Sequence, residues 1–177
     1  MSTEFSDINK LFFDKIQKDA DFFMYNDVLV ADALVIAENR AEGYLIESVS
    51  KLVLSCTPDI DFTDFTLAVS TTTGTPPVTT TTPAHFNITL TFVEKDLLAN
   101  LMFEMYLEKD MAILRALSVN LSPKDMNVFS PANERKTFIE MLKVVENKNV
   151  KLIKQYASRD RLTNALKQID YASYNEV

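Results

Sequence analysis

The chain has 177 residues, 47% of them hydrophobic, with 18 basic and 25 acidic side chains and a net charge of −7. That is enough to bury one sizeable core in a single domain, and too little for a second full domain. The negative field excludes a freestanding protein that captures DNA by bulk charge, and no run of about 18 apolar residues is available to span a bilayer.

Only two glycines, Gly43 and Gly74, occur, which disfavours a many-stranded meander and predicts a mainly helical fold. Phe5, Ile8, Phe12 and Ile16 form an amphipathic stripe that predicts a helix over residues 3–19, joined by Phe22, Phe23 and Met24 to the next element. From Asp27 to Cys56, Leu34, Ala37 or Ala41, Leu45, Val49 and Leu52 keep helical spacing and predict one long helix. Gly43 weakens its middle by up to about 1 kcal/mol relative to alanine, so either packing overrides the cost or a close neighbour needs the small side chain. Cys56, alone and beside Leu52, Val53 and Leu54, reads as a small buried side chain in a reducing compartment. The start Ser2-Thr3-Glu4 lacks the basic segment and apolar core of a secretory signal. A soluble intracellular protein, or part of a particle assembled inside a cell, is expected.

After Pro58 the pattern changes. Phe62, Phe65, Leu67 and Val69 alternate imperfectly with polar residues, and Phe86, Ile88, Leu90 and Phe92 alternate cleanly with Asn87, Thr89 and Thr91. These predict a hairpin inserted at about residues 62–92, with the threonine- and proline-rich residues 71–83 as its extended tip. A lone two-stranded hairpin is marginal in water, so the tip is either disordered or ordered against a partner.

Thr91 and Glu94 have capping-box spacing, and Leu97, Leu98, Leu101, Met102 and Met105 then place one helix face against a core. Met111, Ile113, Leu114, Leu117, Val119 and Leu121 predict a shorter helix with a loop, ending near Ser122-Pro123. Ser130-Pro131 is a start signal for a final helix carrying the heptad stripe Phe138, Leu142, Val145, Asn149, Leu152 and Tyr156 and reaching toward Ile169. Asn149 in that stripe is either a register-fixing device between helices or a solvated turn of a bent helix.

The charge is uneven. Residues 1–123 hold 8 basic and 18 acidic groups, net −10, whereas residues 124–177 hold 10 and 7, net +3. This is either a chance imbalance of solvated surface or a division into faces that dock copies together or bring one face near nucleic acid. Lys143, Lys148, Lys151, Lys154, Arg159 and Arg161 can touch DNA backbone nonspecifically, or are ordinary exposed surface interrupted by Glu140, Glu146 and Asp160.

Catalytic chemistry has little to work with. The sole histidine, His85, has no second histidine or nearby cysteine, so no metal site is expected. Asp59, Asp61 and Asp64 lack the glycine turn and distal glutamate of a calcium loop and read as polar positions of a turn. Glu38 and Glu42 read as a solvated helix face. No phosphate loop, nucleophile elbow or cysteine–histidine pair can be built, so neither enzymatic activity nor a cofactor is expected.

The strand Phe86-Asn87-Ile88-Thr89-Leu90-Thr91, the helix Glu94-Lys95-Asp96-Leu97-Leu98-Ala99-Asn100-Leu101-Met102, and Phe129-Ser130-Pro131-Ala132-Asn133 opening a long lysine-rich helix through Tyr156 together resemble small neck proteins of tailed bacteriophages. The resemblance is to head-to-tail joining proteins of the connector, adaptor or head-completion type and covers roughly residues 86–157. The elements read above predict an elongated helical bundle with a long C-terminal helix and one β-hairpin, and the resemblance implies a mainly helical subunit that forms a homo-oligomeric ring between portal and tail. The implied partners are other copies, the portal protein, other neck and tail proteins, and genome DNA passing without sequence recognition. The implied location is the virion neck, assembled in the host cytoplasm. On that view Thr73, Pro76, Pro77 and Val78 of the tip, and Phe138, Leu142, Val145, Asn149, Leu152 and Tyr156 of the last helix, are subunit-interface candidates. Lys148, Lys151 and Lys154 are candidates for proximity to DNA, and a net acidic lumen would let DNA slide. The competing expectation is a non-enzymatic regulatory or chaperone-like module that binds a partner through its C-terminal helix.

Overall fold

The computed structural model describes residues 2–16, 29–73, 78–120 and 131–167. Among them are four helices: α1 (Phe5–Lys15), α2 (Val30–Ser55), α3 (Phe92–Asn120) and α4 (Pro131–Ala157). Five short strands, β1 (Thr3–Glu4), β2 (Phe65–Thr66), β3 (Val69–Thr73), β4 (Val78–Thr82) and β5 (His85–Phe86), form two antiparallel sheets. In the first sheet β5 lies between β1 and β2, with Phe86 opposite both Thr3 and Phe65. The second is a ribbon of β3 and β4 alone, running from the Val69–Thr82 pair to the Thr73–Val78 pair.

The core lies where α1, α2 and α4 meet α3. Phe5, Ile8 and Phe12 are buried at the spacing of one helical face. Phe12 sets its ring against Tyr44 of α2 and Tyr106 of α3 at centroid distances of 5.9 and 6.3 Å. Phe5, Phe65 and Phe86 gather at the small sheet, with Phe5 and Phe86 4.9 Å apart. Lys15 pairs with Asp96 and Lys95 with Asp7, so α1 is tied to α3 by two ion pairs of opposite direction.

Several elements differ from the sequence expectations, each for a local reason. The buried stripe of α2 is Ala33, Ala37, Ala41, Leu45, Val49 and Leu52, whereas Leu34 is 55% exposed. A Cβ added at Gly43 meets nothing within 4 Å, so no close neighbour explains this glycine, and packing of the stripe carries the helix past it. The expected strand 86–92 stops at Phe86. Asn87 turns instead to Asp64, its backbone N–H donating to Asp64 O at 3.0 Å and Nδ2 to Oδ1 at 2.7 Å. The Leu90 N–H donates to Thr3 Oγ1 at 2.8 Å. Leu90 and half-buried Ile88 therefore reach the core from a connection without ladder hydrogen bonds.

The threonine-rich residues expected as the extended tip of the hairpin are largely the strands of the ribbon; threonine's β-branched side chain favours extended backbone. The apolar run after Met105 continues α3 without interruption to Asn120 rather than forming a helix and a loop. Pro131 does open α4, but the helix ends at Ala157, well short of Ile169. The connection Phe22–Met24, Ser130 and Ile169 lie outside the described residues.

Candidate functional site

Three polar constructions depart from a plain helical core. The first surrounds the start of α3. The Thr91 N–H donates to Glu94 Oε2 at 2.6 Å and the Glu94 N–H to Thr91 Oγ1 at 3.3 Å, completing the reciprocal cap. Glu94 is fully buried and also receives Arg161 Nε at 2.6 Å, Arg161 Nη2 at 3.2 Å and the Tyr156 hydroxyl at 3.2 Å. Arg161 Nη2 further donates to Thr89 O. A buried carboxylate needs a cation and donors to offset its lost hydration, and Glu94 has both. Burial, together with the charge and hydrogen bond of Glu94, pushes the Tyr156 hydroxyl well above its ordinary range. The hydrogen bond to Glu94 holds Arg161 still more firmly protonated.

Arg161 reaches that position because the chain turns back after α4. Asp160 Oδ1 accepts the Leu162 and Thr163 N–H groups at 3.1 and 2.8 Å, the Asp160 N–H donates to Ala165 O at 2.8 Å, and Arg159 bridges Leu166. Asn164 takes φ 56°, a left-handed conformation that asparagine tolerates better than most residues. Between this hook and the start of α3 lies an open cavity of about 490 Å³, lined in part by Val93, Leu152, Tyr156, Arg161 and Leu162.

The second construction is a polar seam across the bundle. Asn149 of α4 is 1% exposed, and its Nδ2 donates to Asn100 O at 3.0 Å and Glu104 Oε2 at 2.8 Å on α3. Glu104 Oε1 accepts Lys51 Nζ of α2 at 2.7 Å. Asn100 Nδ2 continues to Asp96, which holds Lys15 of α1. Four helices are thereby connected through one line of hydrogen bonds and ion pairs. Glu108 and Glu146 stand beside Glu104. Burial raises the Glu108 carboxyl above its ordinary value; Lys51 opposes the shift, and Glu104, Glu146 and Glu47 add to it.

The third is the ribbon. Val69 to Thr72 and Thr80 to Thr82 are all exposed, and Ser70 Oγ and Thr81 Oγ1 meet across the strands at 3.0 Å. Leu67, at its base, is 51% exposed.

The residues singled out in sequence fall differently among these features. Leu142 and Asn149 are buried, and half-buried Val145, Leu152 and Tyr156 pack against the same core, so these five positions contribute to the chain's own core. Among them Asn149 fixes α4 against α3. The side chain of Phe138 lies outside the described residues, as do Pro76 and Pro77 and the side chains of Thr73 and Val78, whose backbones pair at the end of the ribbon. Lys148 donates to Asn100 Oδ1 at 3.3 Å while remaining exposed, and Lys151 and Lys154 are exposed on α4.

His85 Nδ1 contacts Pro83 O at 2.9 Å. Asp61 caps Thr63 in the manner of a turn residue, whereas Asp64 receives Asn87 and Asp59 pairs with Lys167, contacts to distant parts of the chain. Glu38 is exposed, whereas Glu42 is half-buried and its carboxyl is raised, first by burial and then by Glu38. Sequence reasoning missed the grouping of Glu104, Glu108 and Glu146. The spacing of Glu104 and Glu108 puts them on one helix face, but Glu146 joins them only through the docking of α4.

No family model, curated protein or solved structure matches this chain.

Proposed function

We propose that this chain is a non-enzymatic structural subunit of a tailed-phage neck, a ring component between portal and tail. The ribbon of β3 and β4 carries the reading. A two-stranded ribbon is marginal in water, and this one has exposed side chains wherever they are described, with no third strand beside it among the described residues. Such an element gains by adding to a neighbouring copy, which extends the ladder of backbone hydrogen bonds beyond the two strands. The capped start of α3 and the start of α4 at Pro131 supply further support, because they are the features on which the resemblance to head-to-tail joining proteins rests.

In this reading each subunit's helices form a self-contained body and the ribbon is the arm that reaches the next copy. Its partners are further copies, the portal protein and adjoining neck and tail proteins, and the location is the virion neck after assembly in the host cytoplasm. Genome DNA passes without sequence recognition, and Lys148, Lys151 and Lys154 are basic groups of α4 that could line its path. The competing module, acting through the stripe of the C-terminal helix, loses Leu142, Val145, Asn149, Leu152 and Tyr156 to the chain's own core.

The test replaces residues 70–81 by Asn-Gly, a two-residue hairpin turn that keeps the Val69–Thr82 pair. Native mass spectrometry and electron microscopy of the unaltered protein, alone and with portal protein, are expected to show closed oligomers. The shortened variant is expected to keep its helical circular dichroism and remain monomeric. An unaltered protein that never exceeds a dimer under either condition overturns the ring, and a shortened variant that assembles normally removes the ribbon from the interface.

A further inference from the structure

The carboxylates of Glu104, Glu108 and Glu146 place one oxygen each within 4.8 Å of the other two. Glu104 and Glu108 lie one turn apart on α3, and Glu146 comes from α4. Three acids alone do not make a site, because solvated acidic groups are common at surfaces. A fourth residue changes the chemistry. Asn149, one turn after Glu146, is 1% exposed and lines a cavity of about 110 Å³ together with Glu104 and Glu146.

The orientation of the Asn149 amide is fixed by its nitrogen, which donates to two oxygen acceptors, Asn100 O and Glu104 Oε2. Its carbonyl oxygen, Oδ1, is buried without a partner among the described residues. A buried carbonyl without a donor or cation costs stability, and this one belongs to a side chain that lines a cavity with two of the three carboxylates, an all-oxygen setting that suits a positively charged occupant. At roughly 30 Å³ per water, the cavity has room for an ion and two or three waters.

Two ammonium groups already border the cavity. Lys51 Nζ lies 2.7 Å from Glu104 Oε1 and 3.9 Å from Glu108 Oε1, and Lys154 is exposed. Lys51 offsets part of the charge of three carboxylates and leaves Asn149 Oδ1 unserved. Sulfur and imidazole are absent from this donor set, which selects a hard cation and disfavours zinc or copper. Exposed Glu108 and half-buried Glu146 give the ion a way in from solvent.

We infer that Glu104, Glu108, Glu146 and Asn149 Oδ1 form a site for one hard divalent cation of the magnesium, calcium or manganese class, which ties α3 to α4 and competes with Lys51 for Glu104. The site belongs to the helical body and stands independently of whether the ribbon joins copies.

Manganese titration followed by electron paramagnetic resonance, with calorimetry for calcium and magnesium, tests it on the full chain. One saturable site is expected, with a rise in melting temperature on loading. Glu146→Gln and Glu108→Gln, both at partly or fully exposed positions and close in shape to the native residues, are expected to weaken manganese at least tenfold and to lose the metal-dependent rise. Lys51→Gln keeps a donor for Glu104 but removes the competing charge, and is expected to tighten manganese several-fold. Absence of saturable uptake of all three ions at millimolar concentration overturns the site. So do Glu146→Gln and Glu108→Gln proteins that load manganese as the unaltered chain does, or a folded Lys51→Gln protein that binds it no more tightly.

Discussion

The seam between α3 and α4 and the ribbon of β3 and β4 are both rich in polar residues, and they use polarity in opposite ways. In the seam Asn149 and Glu104, and at the adjoining start of α3 Glu94, are buried at or near 0% exposure and bound to named partners from distant parts of the chain. Among the described residues the ribbon's side chains are exposed, and its two strands pair with each other. Burial makes a missing partner costly, whereas exposure lets water replace it. The helical body is therefore specified from within, whereas on the proposed reading the ribbon is completed by another copy. This contrast yields a ranking: substitutions in the seam should destabilise the monomer strongly, and changes toward the surface progressively less.

The sharpest way to break the comparison is Glu94→Ala. It removes the carboxylate half of the α3 cap, keeping only the N–H of residue 94 donating to Thr91 Oγ1, and leaves Arg161 and Tyr156 facing a void. Loss of one partner of a buried pair costs about 3–5 kcal/mol, so a large fall in the chemical-denaturation midpoint is expected. Glu94→Gln retains an oxygen for the Thr91 N–H but not the charge facing Arg161, and should fall between. A Glu94→Ala protein as stable as its parent would mean that the hook and α3 are not held by this knot.

Asn149→Ala comes next. It strips Glu104 Oε2 and Asn100 O of a buried donor, with an expected cost of about 1–3 kcal/mol. Because Glu104 also holds Lys51, the double variant with Lys51→Met should deviate from additivity, which a double-mutant cycle measures. Additive losses would mean that the seam is two separate contacts rather than one network.

What could be read from the sequence follows the range of the interactions involved. The Thr91–Glu94 cap was legible because it spans three residues and depends on backbone geometry alone. Pro131 was legible for the same reason. Asn149 announced itself as a polar interruption in an apolar stripe, but the stripe does not reveal whether the facing helix belongs to the same chain, and here it does. The alternation from Phe86 to Phe92 suggested a strand, since period two arises equally in a connection that drops Leu90 into the core while Asp64 and Thr3 take its backbone donors. The end of α4 at Ala157 was hidden because neither glycine nor proline marks it; Asp160 and Asn164 turn the chain by capturing backbone groups. Glu104, Glu108 and Glu146 required the tertiary contact itself. The small sheet was hidden likewise, because Thr3 and Phe86 are distant in sequence.

A smaller effect of opposite sign is expected at Gly43. It lies inside α2, on neither the buried stripe nor the seam, and an added methyl group meets nothing. Gly43→Ala should therefore stabilise the monomer by up to about 1 kcal/mol through helix propensity, read as a higher thermal midpoint. Destabilisation would reveal a partner at this position that the monomer lacks, extending to α2 the incompleteness proposed for the ribbon.

The smallest effect belongs to the hook, and it carries a pH signature. Hydrogen bonds from Thr163, first from its N–H and then its hydroxyl, lower the Asp160 carboxyl below its ordinary value of 3.8. A folded-state value below the unfolded one contributes stability that is present above pH 3.8 and is lost as pH falls through the lowered value. Amide exchange at Leu162 and Thr163 should therefore accelerate below pH 3.8, with the seam still protected, since Asp160 is exposed and the opening local. Asp160→Asn should remove that acid step while leaving the neutral-pH structure recognisable, because an amide oxygen still accepts. If seam amides instead open together with Leu162 and Thr163, then the hook, through Arg161 and Glu94, is part of the cooperative body, and the boundary between self-sufficient and surface-dependent regions lies farther out than the Glu94 knot.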